Sequence, residues 1–242
     1  MSPVVLVFVY ALITALATGL GAIPFLFLRQ ISPRAVALAN AIAAGLMLGA
    51  SFGLVAEGTT HGSVQTVAGA ALGVLFILAA QHFLGDREIE FGGFSGEGAR
   101  RMMLVIVVMT VHSFSEGVAV GVAFGGGVAL ATVITVAIAV HNIPEGLAIS
   151  AVLRSRGVSV PACAAWSIFS SLPQPLMAVP AFLFVEAVRP ALPWGLGFAA
   201  GAMVFMVLVE LLPEAYGMAR RPSVGVLASI SVIVMVLFQH YL

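Results

Sequence analysis

Eight stretches of about 20 or more residues, nearly free of charge, take up most of this chain. They lie near 3–28, 36–57, 64–84, 102–124, 128–152, 160–187, 192–213 and 223–242. An α-helix rises about 1.5 Å per residue, so about 20 residues cross the roughly 30 Å hydrocarbon layer of a bilayer. The runs are continuous and do not alternate with period two, which excludes a closed β-barrel. Only 8% of the 242 residues are charged, against about 25% in a soluble domain. No water-soluble fold hides that much apolar surface. The expectation is one all-α membrane domain over 1–242 with eight transmembrane helices. The single polar loop of any length, at about 85–100, is rich in Gly, Ser and acids. The first stretch lacks a basic start and is too long for a cleaved signal peptide, so it reads as a retained span.

Formal net charge is zero, which argues against nucleic acid as a partner. One cysteine, Cys163, excludes an internal disulfide and argues against a thiolate metal site. All ten basic residues are arginines. With eight spans, Arg29, Arg34, Arg87, Arg100, Arg101, Arg154, Arg156, Arg220 and Arg221 fall in odd-numbered loops, and only Arg189 in an even one. The positive-inside rule makes the odd side cytoplasmic and puts both termini outside a cell membrane. Adding or removing one span would destroy this segregation.

Two internal echoes follow. An offset of 156 residues aligns Ala22-Ile23-Pro24 with Ala178-Val179-Pro180, and Ala43 to Met47 with Ala199 to Met203. The corresponding spans run in opposite directions, so the repeat is inverted, the arrangement of many carriers. More tightly, Val111 to Gly117 in span 4 matches Val140 to Gly146 in span 5, each reading His, three residues, Glu, Gly.

A His and a Glu four residues apart share one helix face. His112 with Glu116, and His141 with Glu145, lie eleven to thirteen residues into antiparallel spans, so all four come to mid-membrane depth. An ionised side chain there costs about 2.5–3.5 kcal/mol on insertion scales. A divalent cation cancels two carboxylates, and neutral imidazoles complete its shell. This donor set suits Zn²⁺, and also Fe²⁺, Mn²⁺, Co²⁺ or Cd²⁺, over Ca²⁺ or Mg²⁺. A lone buried His is as readily a helix–helix hydrogen bond, and Glu/His chains also relay protons. Pro144 removes a backbone hydrogen bond beside the motif, and the glycines after each Glu permit close helix approach. Pro173-Gln174-Pro175 makes a polar break in span 6, offering Gln174 as a ligand or a donor to one. Met47 is a thioether candidate by depth alone. Glu57 near one end of span 2, and His82, Glu210 and Glu214 at the other side, are entry and exit candidates that equally suit solvated helix ends.

The HSFSEG and HNIPEG segments, with AAGLMLGASF, LPQPLMAVPAF and GFAAGAMVFMVLVELLPE, make the chain resemble the ZIP (Zrt-/Irt-like) family of metal transporters along essentially its whole length. The resemblance implies zinc import into the cytosol, an elevator-like movement and a homodimer. It also implies a primary metal site at Met47, His112, Glu116, His141 and Glu145, with no organic cofactor and no enzymatic activity. Many relatives carry Asn or acids after each motif His and an acid in span 6. Here those positions are Ser113, Asn142 and Gln174, second-site or supporting positions with mostly neutral chemistry. Two other classes compete: a proton-coupled carrier of organic solutes, and an intramembrane metalloprotease. The protease would need an acid directly after the first His, where this chain has Ser113 and Asn142.

Overall fold

A computed structural model describes residues 1–28, 30–85 and 97–241. Arg29, Arg87 and most of the 85–100 loop therefore lie outside the described residues. The fold is helical throughout, with no strand among the described residues. Helix α1 spans Pro3–Leu20, α2 Pro33–Gly85, α3 Glu97–Gly126, α4 Val128–Arg154 and α5 Val160–Ser171. Helix α6 spans Pro173–Ala187, α7 Leu192–Met206, α8 Leu212–Met218 and α9 Arg221–Tyr241.

Proline and glycine set the punctuation. Proline stands in the first turn of α1, α5, α6, α7 and α8, where its missing N–H costs no hydrogen bond. Gly127 joins α3 to α4 with φ +122°, a conformation that favours glycine over any residue with a side chain. The expected break in span 6 falls at Leu172, between α5 and α6. A π-helical turn at Val207–Leu211, which carries Glu210, separates α7 from α8. Sequence spacing gave no sign of it.

Six helical stretches are long and apolar enough to cross a membrane by length and composition among the described residues. Two features separate that count from the eight expected spans. Helix α3, with Glu97, Arg100, Arg101, His112 and Glu116 along its length, is not among the six. Helix α2 counts once, although its 53 residues would run about 80 Å if straight. It is not straight. Gly62 is non-helical, with φ 164° and ψ 102°. Thr66 side-chain atoms lie 2.8 Å from where a Gly58 Cβ would sit. An unbroken helix would separate those residues by about 12 Å. The chain therefore turns back at Gly62, and segments 33–61 and 63–85 pack on different partners. Gly45, Gly49 and Gly53 of the first lie against α9, while Gly69 and Gly73 of the second lie against α7.

The helices form two groups. One contains α1, α3, α4, α5 and α6. The other contains α2, α7, α8 and α9. An apolar core joins them, including Leu46, Ala50 and Leu54 of α2, Ala119 and Ala123 of α3, Ala137 and Ile138 of α4, and Leu196 and Ala200 of α7. At one end, Ala22, Ile106, Ile149, Leu153 and Cys163 gather the end of α1, the start of α3, the end of α4 and the start of α5. At the same side of the sequence pattern, Ala37, Ala41, Ala215 and Val224 join α2, α8 and α9. Arg189 instead donates from Nη1 to the Gly125 carbonyl at 3.0 Å, beside the α3–α4 turn.

Both motif glycines sit at helix crossings. A Cβ on Gly117 would lie 2.5 Å from the Gln174 carbonyl oxygen of α6, and one on Gly146 would run into the Thr18 carbonyl of α1. Gly217 has nothing within 4 Å of its would-be Cβ. Gly146→Ala is expected to lower the melting temperature of the detergent-solubilised protein by several degrees. Gly217→Ala, in an open helical position, is expected to leave it unchanged or raise it by the equivalent of at most about 1 kcal/mol.

Candidate metal centre

Antiparallel α3 and α4 are joined by a single glycine, so residues equally far from the turn lie side by side. The four-residue spacing then does the rest. His112 and Glu116 project from one face of α3, and His141 and Glu145 from one face of α4. All four are buried, at 1%, 0%, 0% and 2% exposure respectively. The structure brings them into contact as expected.

His141 Nε2 lies 2.5 Å from Glu116 Oε1, and His112 Nε2 lies 3.3 Å from the same oxygen. His112 Nε2 also lies 2.9 Å from Glu145 Oε1. Yet neither of that last pair has a hydrogen-bond partner in acceptable geometry. His112, Glu116 and His141 each offer a ligand atom within 4.8 Å of the others. Ligand atoms placed tetrahedrally around zinc at 2.0–2.1 Å are about 3.3 Å apart, the scale of these separations. Both Nδ1 atoms of the two histidines are buried without a partner as well.

Around this core lies an amide network. Gln174 Nε2 donates to Glu116 Oε2 at 2.5 Å. Its Oε1 accepts from Thr14 Oγ1 at 2.5 Å and from Asn142 Nδ2 at 3.2 Å. Asn142 Nδ2 also donates to the Thr14 carbonyl at 2.8 Å. Asn142 Oδ1 has no partner. Ser113 is buried beside His112. Sequence reasoning missed Thr14: a single Thr in an apolar helix carries no motif, and only the crossing of α1 with α4 and α6 brings it here.

The remaining candidates lie elsewhere. Met47 is fully buried, within the apolar core between the two helix groups. Glu57 pairs with His61 at 3.1 Å on the wall of a cavity of about 510 Å³, shared with Gln239 and His240. Glu214 accepts from Asn40 Nδ2 at 3.2 Å. Glu210 is half-buried on the π-helical turn, and His82 is exposed near the end of α2. These five lie outside the group of ligand atoms formed by His112, Glu116 and His141.

Residues 95–238 match the model of the ZIP zinc transporter family. This chain belongs to that family. It is 35% identical to the zinc transporter GufA of Myxococcus xanthus over 90% of this chain and 92% of that protein. It is 48% identical to a putative zinc transporter of Arabidopsis thaliana over 92% of this chain, but spans only 36% of that longer protein. Against zinc transporter ZIPB of Bordetella bronchiseptica it is 34% identical over 88% of this chain and 74% of the relative. The family is one of transporters, not enzymes, and with its apolar helices the chain is a multi-pass membrane protein.

The Asn142 amide donates to two buried acceptors, the Thr14 carbonyl and Gln174 Oε1, and Asn142→Leu removes both hydrogen bonds. It is expected to reduce stability by about 1–3 kcal/mol, read as a fall in melting temperature without added metal.

Proposed function

We propose that this protein is a zinc carrier that delivers the ion to the cytosol through His112, Glu116, His141 and Glu145. The observation that carries the reading is the convergence of His112, Glu116 and His141, each with a ligand atom within 4.8 Å of the others, beside Glu145 Oε1 at 2.9 Å from His112 Nε2. Such a donor set, buried at mid-membrane, calls for a cation at its centre. Two carboxylates and one dication sum to zero charge, which removes the cost of ions at mid-membrane. The names of the relatives, zinc transporters all, favour zinc over Fe²⁺, Mn²⁺, Co²⁺ or Cd²⁺. Met47, at the core between the helix groups, supplies a soft thioether to the ion's path. Glu57 stands at the entrance, and His82, Glu210 and Glu214 at the exit.

The chain crosses the bilayer eight times when α2 is divided at Gly62 and α3 is counted, with α5–α6 and α7–α8 as one crossing each. Both termini then face outward and the arginine-rich ends face the cytosol. The inverted repeat has support in packing. Gly146 meets the Thr18 carbonyl, and Gly117 meets the Gln174 carbonyl. Thr18 and Gln174 are 156 residues apart (174 − 18), the offset of the sequence echo.

Transport proceeds by an elevator-like shift of the α1, α3–α6 group against α2, α7 and α9. Buried polar ties run within the groups. Thr18 to Ser171 at 2.8 Å and the Gln174 network lie in the first, and Gln239 to the Gly49 carbonyl at 3.1 Å lies in the second. The surface between the groups is the apolar core, which slides without breaking buried hydrogen bonds. A homodimer would anchor the static group. Protons and zinc compete for the same lone pairs of the empty site. Proton-coupled carriage of an organic solute is the rival reading, and it would persist in a metal chelator. Protease chemistry lacks its general base, with Ser113 and Asn142 after the histidines.

In proteoliposomes, Glu145→Ala and His141→Ala are each expected to cut zinc uptake at least tenfold, since one lost ligand costs 10–100-fold in affinity or more. Normal uptake by Glu145→Ala would sink the reading. Topology is checked separately: an impermeant maleimide on intact cells should label Ser2→Cys and not Arg220→Cys.

A further inference from the structure

We infer that Gln174 is a positioning residue, resting on the reading of the central cluster as a metal site. Its amide, locked by Thr14 and Asn142, holds Glu116 so that one oxygen faces both imidazoles. The helix crossing that makes this happen is tight. Gly117, next to Glu116, lets the Gln174 backbone come so near that any side chain at 117 would collide with it.

Each amide in the network has one workable orientation. Gln174 Oε1 receives the Thr14 hydroxyl and an Asn142 N–H, leaving Nε2 to face Glu116 Oε2. Turning the Gln174 amide over would set its oxygen against the carboxylate and its N–H₂ against the Asn142 donor. Turning Asn142 over would set its oxygen against both the Thr14 carbonyl and Gln174 Oε1. Acceptors facing acceptors in a dry site are strongly disfavoured. The single Thr14 hydroxyl proton is within reach of the Ala11 carbonyl at 2.7 Å as well as Gln174 Oε1. The less flexible anchor is therefore Asn142, whose two N–H groups are both committed.

The consequence falls on Glu116. With Oε2 engaged by Gln174, Oε1 is the oxygen left for His141 and His112, at 2.5 and 3.3 Å. Four helices, α1, α3, α4 and α6, meet in this chain of contacts, and every member beyond Glu116 is uncharged. The network thus orients a carboxylate without adding charge, so the centre keeps two carboxylates, matched to one dication.

The test is zinc binding by the full-length protein in detergent, titrated against a chelator of known affinity. Gln174→Leu should weaken zinc binding about tenfold or more, the range for groups that orient metal ligands. Gln174→Met, of similar length but with no donor toward Glu116, should lose about as much. Thr14→Val should lose less. Thr14→Val combined with Gln174→Leu should match Gln174→Leu alone within about twofold, because Thr14 acts through Gln174. If Gln174→Leu does not fold, Gln174→Met and Thr14→Val carry the test. Binding within about twofold of wild type in both Gln174 variants, with binding lost in Glu116→Ala, overturns the positioning role. So does a double variant whose loss is the product of the single losses. Full zinc binding by Glu116→Ala overturns the site reading itself.

Discussion

Two carboxylates and two imidazoles occupy a buried centre ringed by a few neutral polar side chains and, beyond them, by Ala, Val, Ile and Met. Water cannot stabilise charge there, so the charges must be cancelled by what the protein or its cargo supplies. The rest of the architecture follows from that need. A single-glycine turn sets α3 antiparallel to α4, glycines at 117 and 146 draw α6 and α1 against them, and small residues keep the crossings close. The arrangement trades helix propensity for proximity. Glycine costs about 1 kcal/mol in a helix interior relative to alanine, and here the cost is offset by interhelical contact that a methyl group would block.

The buried polar ties lie inside helix groups, a distribution that suits the proposed movement of one group against the other. Hydrogen bonds buried away from water are costly to break without replacement. Thr14, Thr18, Asn142, Ser171 and Gln174 place theirs inside the helix group that carries the centre. Between that group and α2, α7 and α9 lies apolar surface. In the proposed movement, dispersion contacts there would be exchanged for similar ones, because no single contact is worth much. In the same proposal, a cation neutralising Glu116 and Glu145 would lower the penalty for carrying the centre through the bilayer.

Membership of the ZIP zinc transporter family agrees with this chemistry, while the departures give the chain its own character. Neutral Ser113, Asn142 and Gln174 surround the charged residues. Asn142 and Gln174 are spent on each other, on Thr14 and on Glu116. In the proposed metal centre the polar side chains would thus divide into those that present lone pairs to the ion and those that hold the first kind still.

The sequence by itself determined a helical membrane protein, the positions of most helix breaks, and the pairing of His112, Glu116, His141 and Glu145. Those properties are local: apolar run length, proline and glycine punctuation, and a four-residue repeat on one helix face. The reversal at Gly62 falls in the separator the sequence marked between spans 36–57 and 64–84, whereas only the tertiary structure decided the π-helical turn at Glu210 and the place of Thr14. It alone also decided that Glu57 faces a cavity while Gln174 reaches Glu116. Each of these depends on which helices cross and at what distance, and that is fixed by packing between segments far apart in the chain. A residue such as Thr14 gains its meaning from neighbours 128 and 160 positions away, beyond the reach of any pattern in its own helix.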